Sequence, residues 1–144
     1  ALLRRMHELM LQCEKYDVPF YLENPRRSKL WIHPLVKKWI RHPHTTLVDF
    51  DYCQFEMPWK KSTSILAFNN KKMNTSNSVK CKETWQKAEN PKETMSSICS
   101  RTKIAHETLS GFVKGKKGQY KTNRACPYPE SFAELMVEKI TIPE

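Results

Sequence analysis

The residues best equipped for chemistry fall in four places along the chain. Glu23 and Asn24 close an apolar alternation, Val18, Phe20 and Leu22, and are followed at once by Arg26, Arg27 and Lys29. An acid and an amide beside three cations suit a polar base, or a similar group, held next to a phosphate. Lys60 and Lys61 lie in a break between two extended segments and, taken alone, read as a basic hairpin with solvated lysines. Residues 114–124, KGKKGQYKTNR, combine two glycines with cations and one aromatic ring. There Lys116, Lys117 and Arg124 are candidates for backbone contact with phosphate, and Tyr120 offers a stacking face. A flexible, solvated hairpin tip is the alternative for that stretch.

The fourth place is a set of metal-donor types. Cys81, Cys99, His106 and Cys126 have the chemistry of a zinc site, but their separations match none of the paired Cys-x2-Cys spacings, so spacing alone assigns no metal. Cys99, with Arg101, Lys103 and His106 after it, is also placed to hold a loop against DNA. His33, His42 and His44 share their spacing with no cysteine or carboxylate, and they read as surface or capping histidines.

These residues need elements to position them. Leu2, Leu3, Met6, Leu9, Met10 and Cys13 form one apolar stripe, which predicts a helix over residues 2–15. The alternation from Val18 predicts a short, largely buried strand. Pro25 cannot donate to a ladder and pushes Asn24 towards extended backbone, so the strand should stop there, with Asn24 and Pro25 shaping the turn. Pro34 opens a second short helix with Leu35, Val36, Trp39 and Ile40 inward and Lys37, Lys38 and Arg41 outward, and Pro43 ends it. Residues 45–55 and 63–68 read as extended segments around DYCQFEMPWKKST. Residues 69–93 are polar and without periodicity, as in a loop or a disordered insertion. Phe132, Leu135, Met136 and Ile140 predict a closing helix after Pro129. Helix followed by strand suggests an α/β sheet, whose ligands sit beyond the carboxyl ends of its strands.

Bulk properties limit the classes. The chain has 144 residues and a net charge of +10, from 25 basic and 15 acidic side chains, which favours a polyanionic partner. No run of about 18 apolar residues exists and no signal peptide is visible, so no membrane partner is expected. Five irregularly spaced cysteines argue against a secreted disulfide framework. An intracellular setting, nucleus or cytoplasm, is the expectation. The chain starts at Ala1, directly in helical pattern, and reads as a piece of a longer polypeptide.

Glu23-Asn24-Pro25 resembles the Glu-Asn-Val/Pro motif of the cytosine-C5 DNA methyltransferases, in particular the phage-like and algal-type relatives that write Glu-Asn-Pro. Tyr52, Phe55, Pro58, Lys61 and the Ile65-Leu66 strand follow the order of that family's Tyr/Phe-Gly-x-Pro-Gln-x-Arg-x-Arg segment and the strand after it. Lys61-Ser62-Thr63 is similar to the Lys-Pro-Thr of the phage-like branch. Glu56, Trp59, Lys61 and Thr63 stand where the family has its glycine, glutamine and two arginines. Residues 123–129 and the helix beyond resemble the closing Gly-Asn-Ala-Val-Pro segment, with Ala125 and Pro127 matching. The resemblance implies an α/β fold, a partial Rossmann-like methyltransferase sheet with flanking helices and a basic hairpin or loop insertion. It divides the chain into 1–68, the carboxyl-terminal part of a catalytic core; 69–110, a variable insertion in place of a target-recognition region; and 111–144, a basic loop and closing helix. It also implies that Glu23 holds an extruded cytosine, as chemistry on a base requires. Arg26, Arg27, Lys60, Lys61, Lys116, Lys117 and Arg124 would then meet the DNA backbone.

The family's aromatic-x-Gly-x-Gly cofactor loop and its Pro-Cys nucleophile do not occur in this sequence. S-adenosylmethionine and the nucleophile would therefore belong to a missing amino-terminal methyltransferase segment, and the isolated chain would be inactive and bind no cofactor. A second reading is a non-catalytic nucleic-acid-binding module, in which basic charge and Trp31, Trp59 and Tyr120 do the binding. An amino-group methyltransferase ranks behind both, because Arg26 and Arg27 replace the proline and aromatic of its Asn-Pro-Pro-aromatic loop. A basic polypeptide docking into a larger assembly is the structural reading.

Overall fold

The computed structural model describes residues 1–89, 95–111, 115 and 119–140. Its fold is mixed α/β, with three helices and two small antiparallel sheets. In chain order these are α1 (Leu2–Lys15), β1 (Phe20–Pro25), α2 (Pro34–Ile40), β2 (Thr45–Asp51), β3 (Ser62–Phe68), β4 (Thr84–Lys87), β5 (Met95–Ile98) and α3 (Glu130–Ile140). Contacts divide the chain into two compact units. One holds Ala1–Phe50, Ser62–Ser78 and Lys139–Glu144; the other holds Asp51–Lys61 and Val79–Glu138.

In the first unit, α1 ends where its sequence lets the backbone turn left-handed. Asp17 adopts φ 57. The Asp17 and Val18 amides then close back on Glu14 and Cys13 at 3.2 and 2.8 Å, a Schellman closure made with aspartate in the usual glycine position. At α2 the His33 ring nitrogen Nδ1 accepts from the Leu35 amide at 3.3 Å, so His33 is a capping histidine, with Pro34 in the first turn behind it. His42 does the same for the His44 amide at 3.1 Å.

The three-stranded sheet runs in the order β1-β3-β2, with β1 antiparallel to β3 and Leu22 opposite Leu66. Met10, Trp31, Val36, Trp39, Leu66 and Phe68 are buried in one cluster, and Leu3, Met6, Phe20, Leu22 and Leu47 pack against it. Both helices and one face of the sheet supply that cluster, which is what the stripe of α1 and the alternation of β1 require. Trp39 is the hinge of this packing. Its ring meets Phe20 edge-on at 5.3 Å and Phe68 at 5.9 Å. Its indole N–H donates to His7 Nδ1 at 3.0 Å.

Two expectations need correction here. Strand β1 runs on through Glu23 and Asn24 to Pro25, so these residues lie inside the ladder, opposite Ile65, Ser64 and Thr63, and not beyond its end. Proline is tolerated there because β1 is an edge strand. The 45–55 segment is extended only to Asp51, after which Tyr52–Phe55 forms a 3-10 turn with Glu56 left-handed at φ 67.

In the second unit, β4 pairs antiparallel with β5, Trp85 opposite Ser97; β4 lies inside the 69–93 stretch expected to be loop and β5 just beyond it. Tyr52, Phe55 and Tyr128 gather their rings around Phe132 of α3. A separate buried cluster consists of Cys53, Cys81 and Cys99.

Candidate functional sites

The second unit brings together four donors from four chain segments. Cys53 sits in the 3-10 turn after β2. Cys81 is held beside the end of that strand, because Asp51 receives the Cys81 amide on its carboxylate at 2.7 Å and donates its own amide to Val79 at 2.9 Å. Cys99 follows β5 directly, in a tight return closed by Cys99 N–H to Ile104 and Lys103 N–H to Cys99, with Lys103 at φ 63. The bridge between Ile98 and Ala105 then sets His106 back against the hairpin. The result is a group in which one atom each of Cys53, Cys81, Cys99 and His106 lies within 4.8 Å of all the others. Cys81 Sγ is 4.0 Å from Cys99 Sγ and 3.7 Å from His106 Nε2. All three thiols are buried, and the His106 side chain is 7% exposed.

Hydrogen bonds from the surroundings reach each sulfur of this cluster and fix the imidazole. The Gln54 amide points its N–H at both Cys53 Sγ and Cys99 Sγ, at 3.4 and 3.6 Å. The Ser100 amide and hydroxyl approach Cys81 Sγ at 3.4 and 3.5 Å. Burial acts to raise the Cys99 thiol, but hydrogen bonds from the backbone N–H groups of Thr102 and Arg101, with the Thr102 side chain, bring it down to about 6. Cys53 lies deeper, and burial pushes its thiol up to about 12 against the pull of Gln54.

Behind the imidazole, Ser97 Oγ lies 2.8 Å from His106 Nδ1 and donates its own proton to Glu83 Oε2. A hydroxyl has one hydrogen. Ser97 must therefore accept from Nδ1–H, which leaves the lone pair on Nε2, facing the sulfurs. Burial acts to raise the Glu83 carboxyl, yet hydrogen bonds from Lys60 (2.6 Å) and Ser97 hold it below the usual carboxylate value.

This set differs from the one suggested by residue type. Cys126 is exposed, and its thiol turns to the Thr122 carbonyl at 3.7 Å. Cys53 takes the fourth position. No local spacing signals it: even Cys81 and Cys99 are 18 residues apart, and Cys53 lies in the separate 3-10 turn Tyr52–Phe55.

The residues proposed for nucleic acid divide between the two units. In the first, the Glu23 carboxylate accepts from the Thr63 hydroxyl. Arg26 turns inward, donating to the Phe50 carbonyl at 3.1 Å and pairing with Asp49 at 3.6 Å. Asp49 also accepts from Ser64 at 2.6 Å. Arg27 is exposed, Asn24 is half-buried and Pro25 ends the strand. In the second unit, Lys60 pairs with Glu83, and Lys61 donates to the Ala125 carbonyl at 2.8 Å while lying over the Tyr52 ring. Arg124 is exposed, stacked over Trp59 and paired with Glu107 at 3.3 Å. Lys116 and Lys117 lie outside the described residues.

The aromatic platforms need correction. Trp31 is 8% exposed, with its indole N–H donated to the Pro25 carbonyl at 2.9 Å, and Trp59 is 7% exposed. Both are packing residues. Tyr120 remains open at 52%.

The S-adenosylmethionine implied by the family resemblance finds no glycine cradle among the described residues. Gly111 and Gly115 have φ +82 and +78, and a side chain at either would meet nothing within 4 Å. No helix among the described residues is long and apolar enough to cross a membrane. No family model, curated protein or solved structure matches the chain.

Proposed function

We propose that this chain is a nucleic-acid-binding module that grips phosphate through the outer face of α2 and the turn before it. One observation carries the reading. Arg26, Arg27, Lys29, Lys37, Lys38 and Arg41 follow one another with no aspartate or glutamate between them, and all but Arg26 are exposed. The buried side of α2, Val36 and Trp39, is locked in the core, so Lys37, Lys38 and Arg41 are held outward on a fixed frame. A stretch of one sign on a rigid element attracts a polyanion and releases its counterions on contact.

The test is duplex binding followed by fluorescence anisotropy across a salt series. Log affinity should fall steeply with log salt. Replacing Lys37, Lys38 and Arg41 together by alanine should make that slope shallower by about 3, at roughly 0.9 per phosphate contact. An unchanged slope in the triple variant refutes the reading.

A second reading keeps the resemblance: the chain is the target-side part of a cytosine-C5 DNA methyltransferase-like protein. In its favour, Glu23 is oriented by the Thr63 hydroxyl on an edge strand, where further strands of a larger Rossmann-like sheet could add. S-adenosylmethionine and the nucleophile would come from a separate segment. Joined to such a segment, Glu23→Gln should abolish methylation and leave DNA affinity unchanged; full methylation by the variant ends this reading.

A further inference from the structure

The four-donor cluster of the second unit shares no residue with the cationic stretch of residues 26–41, and its geometry goes beyond that reading. We propose that Cys53, Cys81, Cys99 and His106 bind one structural zinc ion, through three thiolates and the Nε2 lone pair.

The spacing of the donors fits. Zinc–sulfur bonds of about 2.3 Å in a tetrahedron place neighbouring sulfurs about 3.8 Å apart, with a slightly shorter edge to an imidazole nitrogen. Cys81 Sγ lies 4.0 Å from Cys99 Sγ and 3.7 Å from His106 Nε2. A disulfide needs sulfurs about 2.05 Å apart and would occupy only two of the four donors. The donor type selects the metal as well. Three soft thiolates with one imidazole suit zinc and disfavour magnesium, calcium or manganese, which prefer oxygen.

The supporting shell is built in the way ligating histidines are held. Nδ1–H is given to Ser97, whose hydroxyl is anchored on Glu83, and Glu83 is anchored on Lys60. Four protein donors fill the tetrahedron and leave no place for water or substrate, so the ion is structural and not catalytic. Binding converts the cysteine thiols to thiolates, and their protons leave to solvent.

The test uses the full 144-residue chain, purified under reducing conditions. Metal analysis should find one zinc per chain. After chelation, cobalt(II) should restore one equivalent with the intense visible bands of a tetrahedral thiolate site. Cys53→Ser, Cys81→Ser and Cys99→Ser should each lose bound metal, and Cys126→Ser and Cys13→Ser should keep it. Because a serine variant can lose metal simply by unfolding, His106→Cys provides a check that retains four donors. It should still bind one cobalt, with its sulfur-to-metal charge-transfer band stronger by about a third, as expected for four thiolates in place of three. Iron in place of zinc, loss of metal in Cys126→Ser, an unchanged charge-transfer band in His106→Cys, or a Cys81–Cys99 disulfide with no metal each overturns the proposal.

Discussion

Replacing Ser97 by alanine should weaken zinc binding about tenfold or more without removing a ligand. The side chain does two things at once: it accepts from His106 Nδ1–H at 2.8 Å and donates to Glu83. When Nε2 binds a divalent cation, the imidazole becomes a stronger donor at Nδ1. A hydrogen bond to a charged partner contributes about 1.5–3 kcal/mol against about 0.5–1.5 kcal/mol for a neutral one. The difference, roughly 1–1.5 kcal/mol, acts on the metal-bound state alone, and about 1.4 kcal/mol is tenfold in affinity. The His106 side chain is only 7% exposed, so water is poorly placed to take over from the hydroxyl. Losses of about 10–100-fold are usual when such outer partners are removed.

The assay is competition with a chelator of known affinity, run on the parent chain and on Ser97→Ala with near-ultraviolet circular dichroism to establish that the fold persists. Lys60→Ala is the companion. It removes a partner of the other Glu83 oxygen, one step further from the ring, and should cost less than Ser97→Ala. A folded Ser97→Ala chain that holds zinc within twofold of the parent would show that His106 does not bind through Nε2, and the assignment of the lone pair would fail.

The remaining predictions concern the first unit. Leu66 of β3 is fully buried in the cluster with Met10, Val36 and Trp39, so Leu66→Ala should lower unfolding free energy by about 2–5 kcal/mol in denaturant titrations, with no change in zinc content. Trp39→Phe keeps most of the ring packing but strands His7 Nδ1, and should cost about 0.5–1.5 kcal/mol plus a cavity contribution, read from the shift in denaturation midpoint.

The helices were legible because each carries its own signal. The three- and four-residue stripe of α1, Pro34 at the start of α2 and the apolar spacing of α3 are local facts, and local facts survive folding. The end of β1 was misplaced because a proline rule for central strands does not bind an edge strand, and edge position is settled by the pairing of β3 with β1. The β4–β5 hairpin gave no warning. All of β4 is exposed, so no alternation marks it, and its partner strand lies at the other side of a polar stretch. Trp31 and Trp59 were offered as stacking rings on residue type. Whether an indole faces solvent depends on partners such as the Pro25 carbonyl, which no reading of Trp31 alone supplies.

The cysteines show the same division and also why a metal fits this unit. Donor types were visible at Cys81, Cys99 and His106, but the fourth ligand depended on the turn after β2. A buried group made only of Cys53, Cys81 and Cys99 is a poor apolar core, since small thiols remove little surface from water at about 25 cal/mol per Å². That is awkward for a bare core and is resolved by a divalent cation, which makes every thiol a thiolate and neutralises most of the charge. Structural zinc in small peptides contributes about 10–16 kcal/mol, well above what burying three thiols can give. Magnitude therefore favours the metal as what ties the turn after β2, the Cys81 segment and the β5 return into one unit.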